Sequence, residues 1–400
     1  MILRLKDILI GPPIPTQKLS EKKLNKVRAL AAFSPDALSS IAYANQEIYL
    51  GLLIAGTAGL SMAWPIGIAI TVVLTIAAVS YYQTIHAYPS GGGSYVVARS
   101  NLGTLAGLIA ASALMIDYVL TAAVSLAAGV DAIASAFPLL VAYRVQIALF
   151  LLVLITLINL RGLRETGTLM SIPVYLFLFT YLPMLLYGLF VLWRDGPGVM
   201  AVVAPPPAQP LTLFIILHAF ATGCTALTGI ETISNGVPVF KSPESENAGK
   251  TLIVMALLMG LLFIGSIGLT QSLAVIAKPH ETILSALARR VLGPGTFYLV
   301  IQLATLLILT VAANSSFAGF PRVAAILARD GFLPRQFTSL GDRLVFVNGI
   351  IMLATATAIL LIGFRGNSHA LVPLFAVGAF LAFTLSQGGM VLHWWRERGP

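Results

Sequence analysis

Long apolar runs recur along this chain and constrain its fold more than any other feature. A helix needs about 20 predominantly apolar residues to cross a bilayer, and each run approaches that length. A chain of this kind predicts an all-α polytopic membrane protein. The ten predicted spans fall at roughly 30–55, 64–86, 103–138, 145–160, 169–193, 211–238, 251–277, 295–320, 346–364 and 369–394.

The composition agrees with this prediction and excludes an ordinary soluble enzyme. Of the 400 residues, 58% are hydrophobic and only 10% are charged, whereas soluble domains carry about 25% charged residues. The net charge of +9 predicts topology rather than a nucleic-acid partner, because most Lys and Arg residues lie in the termini and loops that would be cytoplasmic. We therefore expect a multi-pass plasma-membrane protein with both termini cytoplasmic and a cytoplasmic N-terminal segment at 1–28.

Two spans are interrupted by polar residues at corresponding positions. The stretch 33–40 inserts a proline, an acid and three serines into the first span, and 222–231 inserts two glycines, three threonines and an acid into the sixth. Ten spans divide into repeats at 29–193 and 211–395, joined by an outer loop at 194–210. Because an odd-numbered repeat must be inverted, we expect a five-plus-five inverted fold of the LeuT type, with spans 1 and 6 discontinuous around a transport site.

Three acidic residues lie inside apolar spans, where an unpaired ionised acid costs about 2.5–3.5 kcal/mol or more. They are Asp36, Asp117 and Glu231. No Lys or Arg lies in the middle of any predicted span, and His218 is the one conceivable basic partner. One imidazole cannot neutralise three carboxylates, so the expected partners are protons or hard cations.

The spacing of neighbouring hydroxyls supports a shared site in the third span. Asp117, Thr121 and Ser125 follow at i, i+4 and i+8, which places three oxygen-bearing side chains on one helix face. Tyr118 lies on the adjacent edge of this face. Hydroxyls in a membrane helix also serve packing, so for Thr121 and Ser125 both interpretations stay open.

The first and sixth spans repeat this pattern. Tyr43 follows Asp36 at i+7, and Glu231 follows Thr228 at i+3, so each pair shares a helix face. Asp131, near the outer end of the third span, is interpreted as structural because it is close to solvent.

Five motifs resemble the KimA-type potassium importers of the amino acid–polyamine–organocation superfamily. They are FSPDALSSIAY, YPSGGGSYVVA, IDYVLTAAVS, ALTGIETISN and LARDGFLPRQF. The resemblance implies the inverted five-plus-five fold and uptake of potassium together with protons, with Glu231 as a site or proton-handling acid. The potassium ligands that it implies are Asp36, Tyr43, Asp117, Thr121, Ser125 and Thr228.

The chain departs from these importers at two points. Phe375 stands in the tenth span where similar importers carry a tyrosine, which removes a hydroxyl ligand or gate. Similar importers also continue with two further spans and a cytoplasmic domain after the tenth span. A homodimer and nucleotide regulation, which the resemblance assigns to that domain, are therefore less firmly expected for this chain.

The leading hypothesis is a secondary transporter that imports a small monovalent cation by alternating access, most simply potassium with protons. It makes and breaks no bond, needs no cofactor beyond the transported potassium ion and proton, and has the lipid bilayer as its partner. An amino acid or amine permease of the same superfamily is the alternative, and a non-transporting scaffold or sensor is the third hypothesis. An aspartate at position 36 weighs against zwitterionic substrates, because it repels their carboxylate.

Overall fold

The computed structural model describes residues 25–91, 93–162, 167–341 and 343–398, and every regular element in that part of the chain is helical. Most of the predicted N-terminal segment therefore lies outside the described residues. Each predicted span corresponds to one helix, except the sixth, which is divided in two. The helices are α1 Lys26–Leu53, α2 Ala63–Ala87, α3 Thr104–Ala136, α4 Arg144–Leu160, α5 Gly167–Asp195, α6a Leu213–Gly223, α6b Glu231–Asn235, α7 Glu244–Ser272, α8 Thr296–Arg329, α9 Val347–Gly363 and α10 Ser368–Glu397.

Short helices connect these ten elements. The α-helical ones are Gly56–Leu60, Ser94–Leu102, Met200–Val203 and Ile283–Leu292, and the 3₁₀ turns are Pro138–Tyr143, Cys224–Leu227, Val237–Val239 and Arg335–Thr338. The predicted outer loop at 194–210 contains one of them.

Eight of the helical segments in the described part are long and apolar enough to cross a membrane. The α9 helix is apolar but shorter, at 17 residues, and α1 is long but carries many polar side chains, most of them buried. Large apolar side chains such as Ile76, Phe150 and Phe179 are exposed on the outside of the bundle, as a lipid-facing surface requires. The chain is a multi-pass membrane protein. The end of the bundle at which α1 begins is called the N-terminal face below, and the other end is called the opposite face.

Equivalent helices of the two halves pack against each other. The α1 helix contacts α6a, α2 contacts α7, α3 contacts α8, and α4 contacts α9. A two-fold relation between two five-helix repeats brings equivalent elements together near its axis, and this pairing therefore supports the five-plus-five arrangement predicted from the span count.

The predicted break in the first span is wrong, because α1 is continuous through Pro35. A proline removes one backbone donor and disturbs one turn, which a membrane helix tolerates when neighbouring groups satisfy the backbone. The hydroxyls of Ser39 and Ser40 donate to the carbonyl oxygens of Asp36 and Ala37, at 3.0 and 2.7 Å. These bonds lie after Pro35 and do not replace the one that its missing N–H would make to the carbonyl of Ala31, so the helix continues with that single bond lost.

The predicted break in the sixth span is confirmed. After α6a the backbone forms one 3₁₀ turn, becomes extended at Thr228 and enters the left-handed region at Gly229 with φ of +86° before α6b begins. Residues 224–230 are called the α6 break below. An isolated change of backbone direction inside a membrane protein survives only where it is buried in protein or lines a cavity.

Candidate functional site

The α6 break is packed directly against α1. A Cβ atom at Gly229 would lie 2.4 Å from the backbone nitrogen of Ala37, so only glycine permits this approach. Ser40 Oγ donates to the carbonyl oxygen of Ala226 at 3.2 Å, and Thr232 Oγ1 donates to that of Phe33 at 2.9 Å. These contacts hold Asp36 of α1 beside Glu231, the first residue of α6b.

Three acidic side chains meet at this contact and form the acid cluster, which consists of Asp36, Asp117 and Glu231. Each is at most 4% exposed, and their carboxyl groups are close enough to interact electrostatically. One oxygen of each has no hydrogen-bond partner: Oδ1 of both aspartates and Oε2 of Glu231. Orphaned buried oxygens of this kind are costly unless a proton or a cation satisfies them.

No basic side chain among the described residues forms an ion pair with the acid cluster. The conceivable partner, His218, is exposed on the outside of α6a and stacks on Phe214 with ring centroids 6.0 Å apart. It points away because Ala219 and Ile215 occupy the buried face of that helix. A positive charge supplied from solution, as expected from the sequence, is therefore consistent with the geometry.

Tyr43 closes the acid cluster on the side of the opposite face. Its hydroxyl lies 3.3 Å from Thr228 Oγ1 in the α6 break, and its ring meets the ring of Phe375 edge to face at 6.1 Å between centroids. All three side chains are buried. Tyr43 lies seven residues beyond Asp36 on α1, so its backbone is about 10 Å further toward the opposite face, while its side chain is close enough to all three acids to interact electrostatically. Tyr43, Thr228 and Phe375 together are called the Tyr43 layer.

The α3 helix supplies one wall of the site. Thr121 and Ser125 are buried on the same face as Asp117, and Ser125 Oγ has no hydrogen-bond partner. The ring of Tyr118 occupies the space that a Cβ atom at Gly319 of α8 would need, with the nearest ring carbon 2.4 Å away. The structure thus groups Asp36, Tyr43, Asp117, Tyr118, Thr228 and Glu231 by contact or electrostatic interaction. The role of these residues and of Thr121 and Ser125 as ion ligands stays a prediction.

A cavity of about 460 Å³, called the vestibule, opens above this layer toward the opposite face. Gln46, Asp131 and His369 line both the vestibule and a smaller cavity of about 20 Å³ that reaches Tyr43. Two adjacent cavities with shared walls therefore lie between the opposite face and Tyr43.

Sequence reasoning missed the ion pair that borders the vestibule. His369 Nδ1 and Glu47 Oε1 are 2.6 Å apart and join α10 to α1, although 322 residues separate them. Asp131 accepts a hydrogen bond from Ser368 Oγ at 2.6 Å, and its structural role stays a prediction. No local sequence signal connects positions that lie so far apart in the chain. The polar residues near the ends of these spans indicated only that this end of the bundle is polar.

The sequence matches one family model and several known proteins. The family described as amino acid permease matches residues 28–400. The potassium transporter KimA of Bacillus subtilis (strain 168) is 46% identical over 397 residues, which cover 98% of this chain and 65% of KimA. A mitochondrial cationic amino acid transporter 3 of Arabidopsis thaliana is 28% identical over 174 residues, covering 42% of this chain and 28% of that protein. The chain thus spans less than two thirds of the length of either relative.

Solved structures of a manganese transporter from Eremococcus coleocola also align with the chain. A mutant of that transporter with one histidine replaced by alanine is 16% identical with a TM-score of 0.41, and the alignment covers 96% of this chain and 81% of that one. A second mutant, with one glutamate replaced by glutamine, is 16% identical with a TM-score of 0.40, and the alignment covers 89% and 78%.

Proposed function

The chain belongs to the amino acid permease family, and from this premise we propose that it is a secondary active transporter that imports potassium together with protons. The proposal assigns it to the plasma membrane, with the N-terminal face cytoplasmic because the basic residues concentrate on that side. The vestibule then faces the outside. The similarity to the potassium transporter KimA supports potassium as the substrate.

One observation carries the proposal: the acid cluster holds orphaned oxygens and has no basic partner among the described residues. Potassium is a hard cation that prefers oxygen ligands, and Asp36 and Asp117 with the hydroxyls of Tyr43 and Thr228 supply carboxylate and hydroxyl oxygens in one place. The extended backbone of the α6 break adds carbonyl oxygens, as discontinuous helices do in other transporters.

In this mechanism the ion enters through the vestibule and loses its water as the side chains replace its hydration shell. The hydroxyls of Tyr43 and Thr228 bind the ion on its outer side, and the layer that they form with Phe375 closes the site toward the vestibule and acts as the outer gate. Glu231, at the first turn of α6b, takes up the proton, because three carboxyl groups so close together disfavour full ionisation. Transport makes and breaks no covalent bond.

A permease for cationic amines is the second candidate, since the carboxylates that hold potassium also attract an ammonium group. The similarity to a cationic amino acid transporter favours it. Uptake of labelled arginine and of potassium into the same proteoliposomes separates the two candidates. Arginine uptake that potassium does not reduce, with no potassium uptake, would favour the amine permease.

Growth of a potassium-uptake-deficient bacterial host at low potassium tests the main proposal. The unaltered chain is compared with Asp36→Asn and Asp117→Asn, which keep the side-chain shape and remove the charge. Asp195→Asn is the matched control, because Asp195 pairs with Arg194 at an exposed helix end outside the site. We expect rescue by the unaltered chain and the control only. Equal rescue by all four proteins, at equal amounts in the membrane, would refute the proposal.

A further inference from the structure

A second group of buried polar side chains lies below the acid cluster, toward the N-terminal face. It consists of Tyr81 of α2 with Ser386 and Gln387 of α10 and is called the α2–α10 seam. Tyr81 is 2% exposed and Ser386 is fully buried. The Tyr81 hydroxyl interacts electrostatically with Glu231 and faces both α10 side chains.

The seam is unusual because several of its polar atoms are buried and make no hydrogen bond of normal geometry. Tyr81 Oη, Ser386 Oγ and Gln387 Nε2 all lack a partner, as does Glu231 Oε2. These four groups belong to three helices: Tyr81 interacts electrostatically with Glu231, and its ring contacts Phe383 of α10. Burying one polar group without a hydrogen-bond partner costs about 1–3 kcal/mol. A contact that served only to pack two apolar helices would therefore contain no such groups or would supply hydrogen-bond partners for them.

We propose that the α2–α10 seam is the proton exit of the transporter, with Tyr81 as the residue that receives the proton of Glu231. The inference rests on the proposed function and extends it to the inner half of the molecule. Protonated Glu231 gives its proton to the Tyr81 oxygen while Tyr81 passes its own hydroxyl proton to Ser386. Ser386 is fully buried here and passes its proton to water that reaches it when the carrier opens at the N-terminal face, so that both hydroxyls end neutral, Glu231 ends as a carboxylate and one hydronium ion is released.

The chemistry of the seam suits a proton better than a potassium ion. The amide oxygen of Gln387 already accepts a hydrogen bond from Ser80, so Gln387 presents its amide nitrogen to the seam. An N–H group donates hydrogen bonds and does not coordinate a cation. Hydroxyl groups both accept and donate a proton, which a relay requires. An amide N–H group beside two hydroxyls therefore favours passage of a proton over passage of a potassium ion.

The experiment separates potassium binding from proton movement in proteoliposomes. Exchange of internal potassium for external labelled rubidium cycles the loaded carrier and needs no net proton transfer, whereas uptake driven by a pH gradient requires it. A pH-sensitive dye inside the vesicles reports the accompanying protons. The test variant is Tyr81→Phe, which keeps the ring and its edge-to-face contact with Phe383 at 6.0 Å.

The matched control is Tyr82→Phe, which removes the same hydroxyl from the next residue of α2, where the side chain is 37% exposed and faces away from the seam. We expect Tyr81→Phe to slow gradient-driven uptake and proton entry by about a hundredfold and to leave exchange within about twofold of the unaltered protein. Ser386→Ala should slow the same two rates and also spare exchange. Tyr82→Phe should change none of them.

Three results would overturn the inference. Gradient-driven uptake by Tyr81→Phe at the rate of the unaltered protein would show that no proton passes through Tyr81. Equal loss of exchange and of gradient-driven uptake would place Tyr81 in ion binding or folding instead. Absence of potassium and rubidium transport by the unaltered protein would refute the proposed function, and the relay with it.

Discussion

Replacement of Gly229 by alanine tests whether the close contact between the α6 break and α1 builds the site. The substitution meets two obstacles. An L-residue in the left-handed region costs about 1–2 kcal/mol, and Gly229 has φ of +86°. The new Cβ would also lie 2.4 Å from the backbone nitrogen and 2.8 Å from the Cα atom of Ala37. Overpacking of this kind costs about 1–3 kcal/mol.

The contact has a predicted consequence for the site as well as for stability. Because the neighbouring atoms belong to the α1 backbone, the two segments must separate by about 1 Å to reach ordinary contact distance. Thr228 precedes the substituted residue, and its hydroxyl is already 3.3 Å from that of Tyr43. A further 1 Å, roughly, breaks this contact. We therefore expect Gly229→Ala to lower the free energy of unfolding by about 2–5 kcal/mol and to weaken potassium binding.

The control is Gly331→Ala, because Gly331 has φ of +84° but no atom within 4 Å of the position that a Cβ would occupy. It should lose about 1–2 kcal/mol from backbone strain alone and bind potassium normally. Thermal unfolding of both variants in detergent, with and without potassium, provides the measurement. Equal melting temperatures for the two variants, or unchanged potassium stabilisation of Gly229→Ala, would show that this contact does not build the site.

Two further substitutions test the outer gate and the packing of α3 on α8. Phe375→Tyr adds a hydroxyl beside Tyr43 at the outer gate. We expect it to tighten rubidium binding by about five- to tenfold, because the ion gains one oxygen contact. Unchanged or weaker rubidium binding at equilibrium would contradict this. Gly319→Ala places a methyl group 2.4 Å from the Tyr118 ring and should lower the free energy of unfolding by about 1–3 kcal/mol. The control is Gly260→Ala, because a Cβ at Gly260 would have no neighbour closer than 3.8 Å. If Gly260→Ala melted at as low a temperature as Gly319→Ala, the close contact between Gly319 and Tyr118 would not explain the loss.

The features that could be predicted from the sequence are those set by local chemistry. Span number follows from run length, and the α6 break follows from glycines and threonines that cannot continue a helix in lipid. The importance of the three buried acids was predictable because a carboxylate inside a membrane span is costly whichever side of the helix carries it. The same local logic gave a wrong answer at Pro35, because one missing N–H group does not end a helix that is packed among other helices.

Features that depend on which way a side chain faces could not be predicted. Tyr81 and Tyr82 are neighbours in one apolar helix, yet one is buried at the α2–α10 seam and the other is exposed on the bundle surface. The pairing of Glu47 with His369 depends on how α1 and α10 pack. The α2 helix is apolar on all sides, so its sequence carries no periodic signal that would orient it.

The position of a bound ion decides whether the acid cluster is the transport site. Thallium or rubidium replaces potassium in crystals of the protein, and an anomalous difference map locates the heavier ion. We predict a peak coordinated by carboxylate oxygens of Asp36 and Asp117 and by the hydroxyls of Tyr43 and Thr228, which disappears in Asp36→Asn. A map with no peak among these residues, and an ion bound elsewhere in the protein, would overturn this assignment.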